Sequence, residues 1–106
     1  MRKALIQIHN ITAGTLIEEN PKSYIFQYKT DYNGPPISLT MPVRNEPYQF
    51  KEFPAFFDGL LPEGIQLEGL LKNRKIDKGD FLKQLLVTGE DLVGAVTVLD
   101  MEESDE

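Results

Sequence analysis

The chain reads as a small α+β domain, and three observations predict it. Short segments of alternating apolar and polar residues, separated by turn residues, fill the first third. Apolar residues at helical spacing fill the region from Phe53 to Leu86. One further apolar run, Leu92 to Leu99, precedes an acidic end. Strands first, then helices, then one closing strand give a small antiparallel sheet, a meander plus a C-terminal strand, packed with about three short helices. The 106 residues make one domain over 1–100, with 101–106 as an acidic disordered tail.

Lys3 to His9 forms the first strand, with Ala4, Ile6 and Ile8 on one face and Leu5 on the other. Asn10 to Gly14 is turn chemistry, and Thr15 to Glu19 is the next strand. Asn20-Pro21-Lys22-Ser23 turns the chain again. Ser23 to Tyr28 then sets Tyr24, Phe26 and Tyr28 against Ile25 and Gln27, an aromatic-rich strand. Asp31 to Pro36 is a loop. Ile37 to Met41 alternates apolar and hydroxyl residues, which predicts a half-buried strand stopped by Pro42, and Val43 to Lys51 is polar and irregular.

The densest apolar stretch follows. Phe53, Phe56, Phe57, Leu60 and Leu61 recur at the spacing of one helix face about two turns long. Pro54 sits in the first turn, where its missing N–H costs nothing, and Pro62 stops the helix. Leu61-Pro62-Glu63-Gly64 is a tight turn that delivers a second short helix, Ile65 to Leu71. The cations Lys72, Arg74 and Lys75 suit that helix's C-terminal end. Asp80 N-caps a third helix with apolar residues Phe81, Leu82, Leu85 and Leu86, broken at Thr88 to Asp91. Leu92 to Leu99 is the last strand, with Gly94 marking a bulge or close backbone approach.

Composition excludes several functions. There is no cysteine, so disulfides and thiolate metal sites are absent and a cytoplasmic setting fits. The apolar run at the start is broken by Gln7 and is too short for a signal peptide or a membrane span. A net charge of −6 opposes direct contact with nucleic acid. His9 is the single histidine, at the end of a strand with no nucleophile in its pattern, and one histidine without cysteine makes no zinc site. Asp58 and Glu63 could be posed as an acid/base pair, but they read as a solvated residue and a turn residue. Glu90 and Asp91 are a weak cation signal. No phosphate loop, dinucleotide fingerprint or kinase motif occurs. The residues describe a binding or structural module with no catalytic, cofactor or metal site.

Four stretches carry a resemblance. They are Gly14-Thr15-Leu16 with Tyr24-Ile25-Phe26-Gln27-Tyr28; Pro36 through Pro42; Phe56-Phe57-Asp58-Gly59-Leu60-Leu61-Pro62-Glu63-Gly64; and Asp80-Phe81-Leu82 through Gly89-Glu90-Asp91-Leu92-Val93-Gly94-Ala95-Val96. In order and spacing they resemble the amino-terminal subdomain of the HipA family of serine/threonine kinase toxins, over nearly the whole chain. No position matches the family's ATP, Mg²⁺ or catalytic aspartate sites. The resemblance extends to HipS, a separate small protein of tripartite systems, and implies an antitoxin that binds and inhibits a HipT-like kinase. A HipB-like helix-turn-helix protein would complete a ternary complex, with DNA met only indirectly and no membrane involved. A non-catalytic scaffold, or a lobe that activates the kinase, is the alternative. The resemblance also points to the Phe53–Leu71 wedge as the kinase contact, through Phe57, Leu61, Glu63, Ile65, Gln66 and Leu67. Relatives often carry tryptophan after Leu-Pro-Glu-Gly, where this chain has Ile65.

Overall fold

The computed structural model describes residues 2–61, 68–69, 71–73, 75–89 and 96–100. Five strands, β1 (Arg2–Ile8), β2 (Ile11–Asn20), β3 (Ser23–Tyr28), β4 (Tyr48–Phe50) and β5 (Val96–Asp100), form one antiparallel sheet in the order β4-β3-β2-β1-β5. Helical elements are α1 (Ala55–Asp58), a stretch that includes residues 68–69 and 71–73, and α2 (Phe81–Thr88). The α+β class and the three-strand meander are as the sequence predicts.

The first turn is tighter than its composition suggests. Only His9 and Asn10 leave the ladder, both at positive φ (50° and 67°), and Ile8 pairs with Ile11. Two central residues with positive φ match the right-handed twist of a hairpin. β2 therefore starts at Ile11 and absorbs Ala13 as a bulge, since Ile6 faces Gly14 and Gln7 faces Thr12. At the second turn the Asn20 side chain accepts from the Lys22 N–H at 2.8 Å.

Alternation sorts the sheet's faces. Ala4, Ile6 and Ile8 from β1, Leu16 from β2, Tyr24, Phe26 and Tyr28 from β3 and Val98 from β5 are buried together. Leu5, Ile17, Ile25 and Leu99 fall at the alternate positions and are half-buried. Phe53, Phe57, Leu61, Leu82 and Leu85 close the core.

Three expectations are corrected. Ile37 to Met41 is not a strand: Ser38 and Met41 form an isolated bridge around a tight turn, which Tyr28 holds by its hydroxyl. Val43 to Lys51 is not wholly irregular, because Tyr48–Phe50 adds an edge strand to β3. The helix over Phe53–Leu61 shrinks to Ala55–Asp58, with Pro54 at its N-cap and Gly59 and Leu60 in a following turn.

The closing strand is locked by a glycine. α2 ends at Gly89, whose C=O accepts from the Val98 N–H at 3.1 Å. A Cβ there would stand 2.0 Å from the Val98 carbonyl oxygen, so only glycine lets the helix end meet β5. Residues 92–95, expected to begin the last strand, lie outside the described residues, as do Gly94 and the 101–106 tail.

Candidate functional site

The wedge that begins at Phe53 is built on the aromatic strand. Phe57 packs on Phe26 with ring centroids 6.0 Å apart, and Phe53 meets Tyr24 edge-on at 5.5 Å. Phe56 stands edge-on to Phe57 at 5.1 Å and is only half-buried. Such ring pairs add about 0.5–1.5 kcal/mol each beyond their buried area. Phe57 is fully buried and Leu61 is 9% exposed. Both belong to the core and present almost no surface in this chain. Asp58, by contrast, is exposed. Glu63, Ile65, Gln66 and Leu67 lie outside the described residues, as do Glu90 and Asp91.

Lys75 adopts φ 55°, and the Ile76 N–H reaches back to the Leu71 carbonyl at 3.1 Å. That six-to-one bond with a left-handed residue is a Schellman end, and it buries Ile76. Asp77 Oδ1 then accepts from the Gly79 N–H at 2.9 Å, and Gln84 Nε2 donates to the carbonyls of Asp77 and Lys78. Gln84 is the one buried polar side chain among the described residues. Sequence spacing assigns it no role, because its partners are loop carbonyls.

The charged cluster at the start of α2 also has a structural job. Asp80 caps the helix, accepting from the Lys83 N–H at 3.2 Å, and receives both arms of the Arg2 guanidinium at 2.8 and 3.2 Å. Arg2 also meets Glu18 at 2.7 Å, and Tyr24 donates to the other Glu18 oxygen at 2.9 Å. Four side chains thereby tie β1, β2, β3 and α2 together. Hydrogen bonds to Asp80 hold the Arg2 guanidinium above its ordinary value. Burial pushes the Asp80 carboxyl up, but the Arg2 hydrogen bonds and the Lys83 N–H outweigh it, leaving the group below its usual range. Tyr24 is pushed up to about 12, by burial first and then by its bond to Glu18.

A groove that sequence spacing does not reveal lies between the β1–β2 turn and the loop after β3. It encloses about 350 Å³, and Ile8, His9, Ile11, Lys29, Asp31 and Tyr32 are among its lining residues. That volume is at the small end for ligand sites. Its rim carries one cation, Lys29, and one anion, Asp31, so it offers no net charge to a ligand. No three His, Cys, Asp or Glu side chains are grouped to hold a metal among the described residues. No described helix is long and apolar enough to cross a membrane.

Opposite in character is the turn from Ile37 to Met41. Tyr28 Oη accepts from the Ile37 N–H at 2.9 Å and donates to the Met41 carbonyl, clamping both ends of the turn. Thr40 N–H donates to Ser38 Oγ at 3.2 Å, and Met41 N–H to the Ser38 carbonyl at 3.1 Å. Ile37 and Met41 are buried as its feet, while Leu39 at the tip is 98% exposed.

The comparisons with known proteins agree with this geometry. A family model described as the HipA N-terminal domain matches residues 4–99. An uncharacterized protein of Haemophilus influenzae is 32% identical over 83 residues, 78% of either chain. Among solved structures, the N-terminal domain of HipA toxin superposes with a TM-score of 0.72 at 28% identity, covering 93% of this chain and 92% of that one. The sheet, the wedge and α2 are thus those of a domain associated with toxin–antitoxin systems, and not of the catalytic kinase part of HipA: the chain belongs to the HipA N-terminal domain family.

Proposed function

We propose that this chain is an antitoxin that binds a HipT-like serine/threonine kinase toxin and holds it inactive in the cytoplasm, without catalytic activity of its own. The observation that carries the proposal is the family match over residues 4–99, which is to the HipA amino-terminal domain and not to the catalytic kinase part. The Haemophilus influenzae relative is matched over 78% of its own length, which supports the view that this domain can make up most of a protein. A domain that packs against a kinase lobe when fused keeps its docking chemistry when it acts as a separate protein. The proposed contact is the wedge, through Phe57, Leu61, Glu63, Ile65, Gln66 and Leu67, of which Phe57 and Leu61 also serve the core. A HipB-like DNA-binding protein would complete the complex, and this chain, at net charge −6, would meet DNA only through it.

Growth of cells expressing the HipT-like kinase of the same genome, with and without this chain, tests the proposal. Rescue of growth is expected. Undiminished toxicity overturns the antitoxin function, and deeper toxicity replaces it with an activating lobe. Ile65→Asp is expected to abolish rescue; if Ile65→Asp and Ile65→Ala both rescue fully, the wedge tip is not the inhibitory contact.

A further inference from the structure

We infer that Asn33 is a site of spontaneous covalent modification: the Gly34 backbone nitrogen displaces its side-chain amide, and the neutral rim of the groove becomes anionic. This chemistry needs no partner and stands apart from the function proposed above. Asn33 alone of the five asparagines precedes a glycine. Asn10 precedes β-branched Ile11, Asn20 precedes Pro21, Asn45 precedes Glu46 and Asn73 precedes Arg74. Glycine has no Cβ to shield its nitrogen, so ring closure onto the preceding side chain is least hindered at residues 33–34. Pro21 has no N–H to give up.

The fold leaves both reacting groups uncommitted. Asn33 is exposed, and neither Asn33 nor Gly34 lies in a helix or strand. Among the described residues, neither the Asn33 carboxamide nor the Gly34 N–H has a hydrogen-bond partner. Their neighbours, by contrast, are held. The Tyr32 N–H donates to the Lys29 carbonyl at 3.0 Å, and the Tyr32 hydroxyl donates to the Pro35 carbonyl at 2.6 Å. Tyr32 lies so close over Gly34 that a Cβ there would stand 2.6 Å from its hydroxyl oxygen. The packing that calls for glycine thus supplies the unhindered nitrogen. Asp58-Gly59 shows the opposite case: a carboxyl before glycine can close the same ring, but the Gly59 N–H is committed to the Ala55 carbonyl at 3.0 Å at the end of α1.

Water is the one co-reactant. The deprotonated Gly34 nitrogen attacks Asn33 Cγ; a C–N bond forms, the Cγ–Nδ2 bond breaks, and ammonia leaves with the proton. Water then opens the five-membered succinimide at either carbonyl, leaving at position 33 an aspartate or an isoaspartate whose backbone runs through the side chain. Asn33 lines the groove with Lys29 and Asp31, so either product changes the rim from one cation and one anion to one cation and two anions. Isoaspartate also adds a backbone methylene inside the segment that the Tyr32–Pro35 hydrogen bond spans.

The test incubates the folded 106-residue chain at physiological temperature and pH, cleaves samples with trypsin and weighs the peptides. The peptide of residues 30–44 contains Asn33 and no other asparagine, while Asn10 and Asn45 fall in other peptides. Conversion of amide to acid in residues 30–44 is expected to run roughly tenfold or more faster than at Asn10 or Asn45, because only Gly34 leaves the attacking nitrogen unshielded. Two products of equal mass should separate by chromatography, and the intact chain should gain a more acidic band on isoelectric focusing. Asn33→Gln, which would have to close a larger ring, should lose both signals. Conversion in residues 30–44 no faster than elsewhere overturns the assignment, as does conversion that occurs only when urea unfolds the chain. A single product, ordinary aspartate, overturns the succinimide route and with it the part given to Gly34.

Discussion

Two apolar stretches, Ile37–Met41 and Phe53–Leu61, lie close together in the sequence and end in opposite environments. The first turns its central leucine entirely to solvent, and the second turns its central phenylalanine entirely inward. Hydrophobicity alone does not separate them. The difference comes from what satisfies the backbone. In α1 the carbonyls of Pro54 and Ala55 accept from the N–H groups of Asp58 and Gly59, so the chain coils and presents one face to the sheet. In the turn, the Tyr28 hydroxyl takes the Ile37 N–H and feeds the Met41 carbonyl, so the chain bends sharply and its middle residue has nowhere to go but out. One stretch buries its central side chain in the core, and the other leaves its central side chain outside it.

The largest effect that sharpens this contrast is Phe57→Ala, expected to cost about 3–5 kcal/mol in urea denaturation, while Leu39→Ala stays within about 0.5 kcal/mol. Comparable losses from the two would erase the distinction. Next is Tyr28→Phe, which keeps the ring and deletes both hydroxyl bonds. It should cost about 1–3 kcal/mol, because the buried Ile37 N–H loses its partner, and amide exchange at Ile37 should accelerate. Unchanged exchange would mean the clamp does not hold the turn.

A third test acts on the frame behind both stretches. Asp80→Ala removes the N-cap and the Arg2 pair, with an expected loss of about 0.5–2 kcal/mol, whereas Asp80→Asn keeps the cap and loses less. The smallest effect is in pH. Asp80 binds its proton less readily in the folded chain than in the unfolded one, where its ordinary value is 3.8. Its contribution is therefore complete at pH above about 5 and is lost progressively as pH falls through about 4 and below. Denaturation midpoints of wild type and Asp80→Asn should converge with acidification; parallel curves would show that Asp80 does not supply this dependence.

The meander was legible because β1 and β3 carry clean alternation and their turns carry asparagine and proline. Asp80 was legible as a cap for the same local reason, although Arg2, its distant partner, was not. Tyr48–Phe50 escaped because three residues show no period and gain strand character only by pairing with β3. Ile37–Met41 misled because a strand and a clamped turn share one pattern, and the deciding hydroxyl comes from another strand. Burial of Gln84 depends on the carbonyls of Asp77 and Lys78, a loop geometry that no spacing encodes. For the proposed kinase contact, the sequence supplied the wedge residues, while the exposure of Leu39 emerged only from the folded structure.

Pairing of β5 with β1 has a consequence for synthesis. Ala4 faces Asp100 and Ile8 faces Val96, so the first strand to leave the ribosome gains its second neighbour only when residues 96–100 emerge. At about 5–20 residues per second, β1 keeps one bare edge for several seconds after the hairpins with β2 and β3 can form. Pairing between such distant residues is slow to form and leaves the edge open to other strands in the meantime. The nascent chain therefore stays exposed to strand-mediated aggregation until residues 96–100 pair with β1.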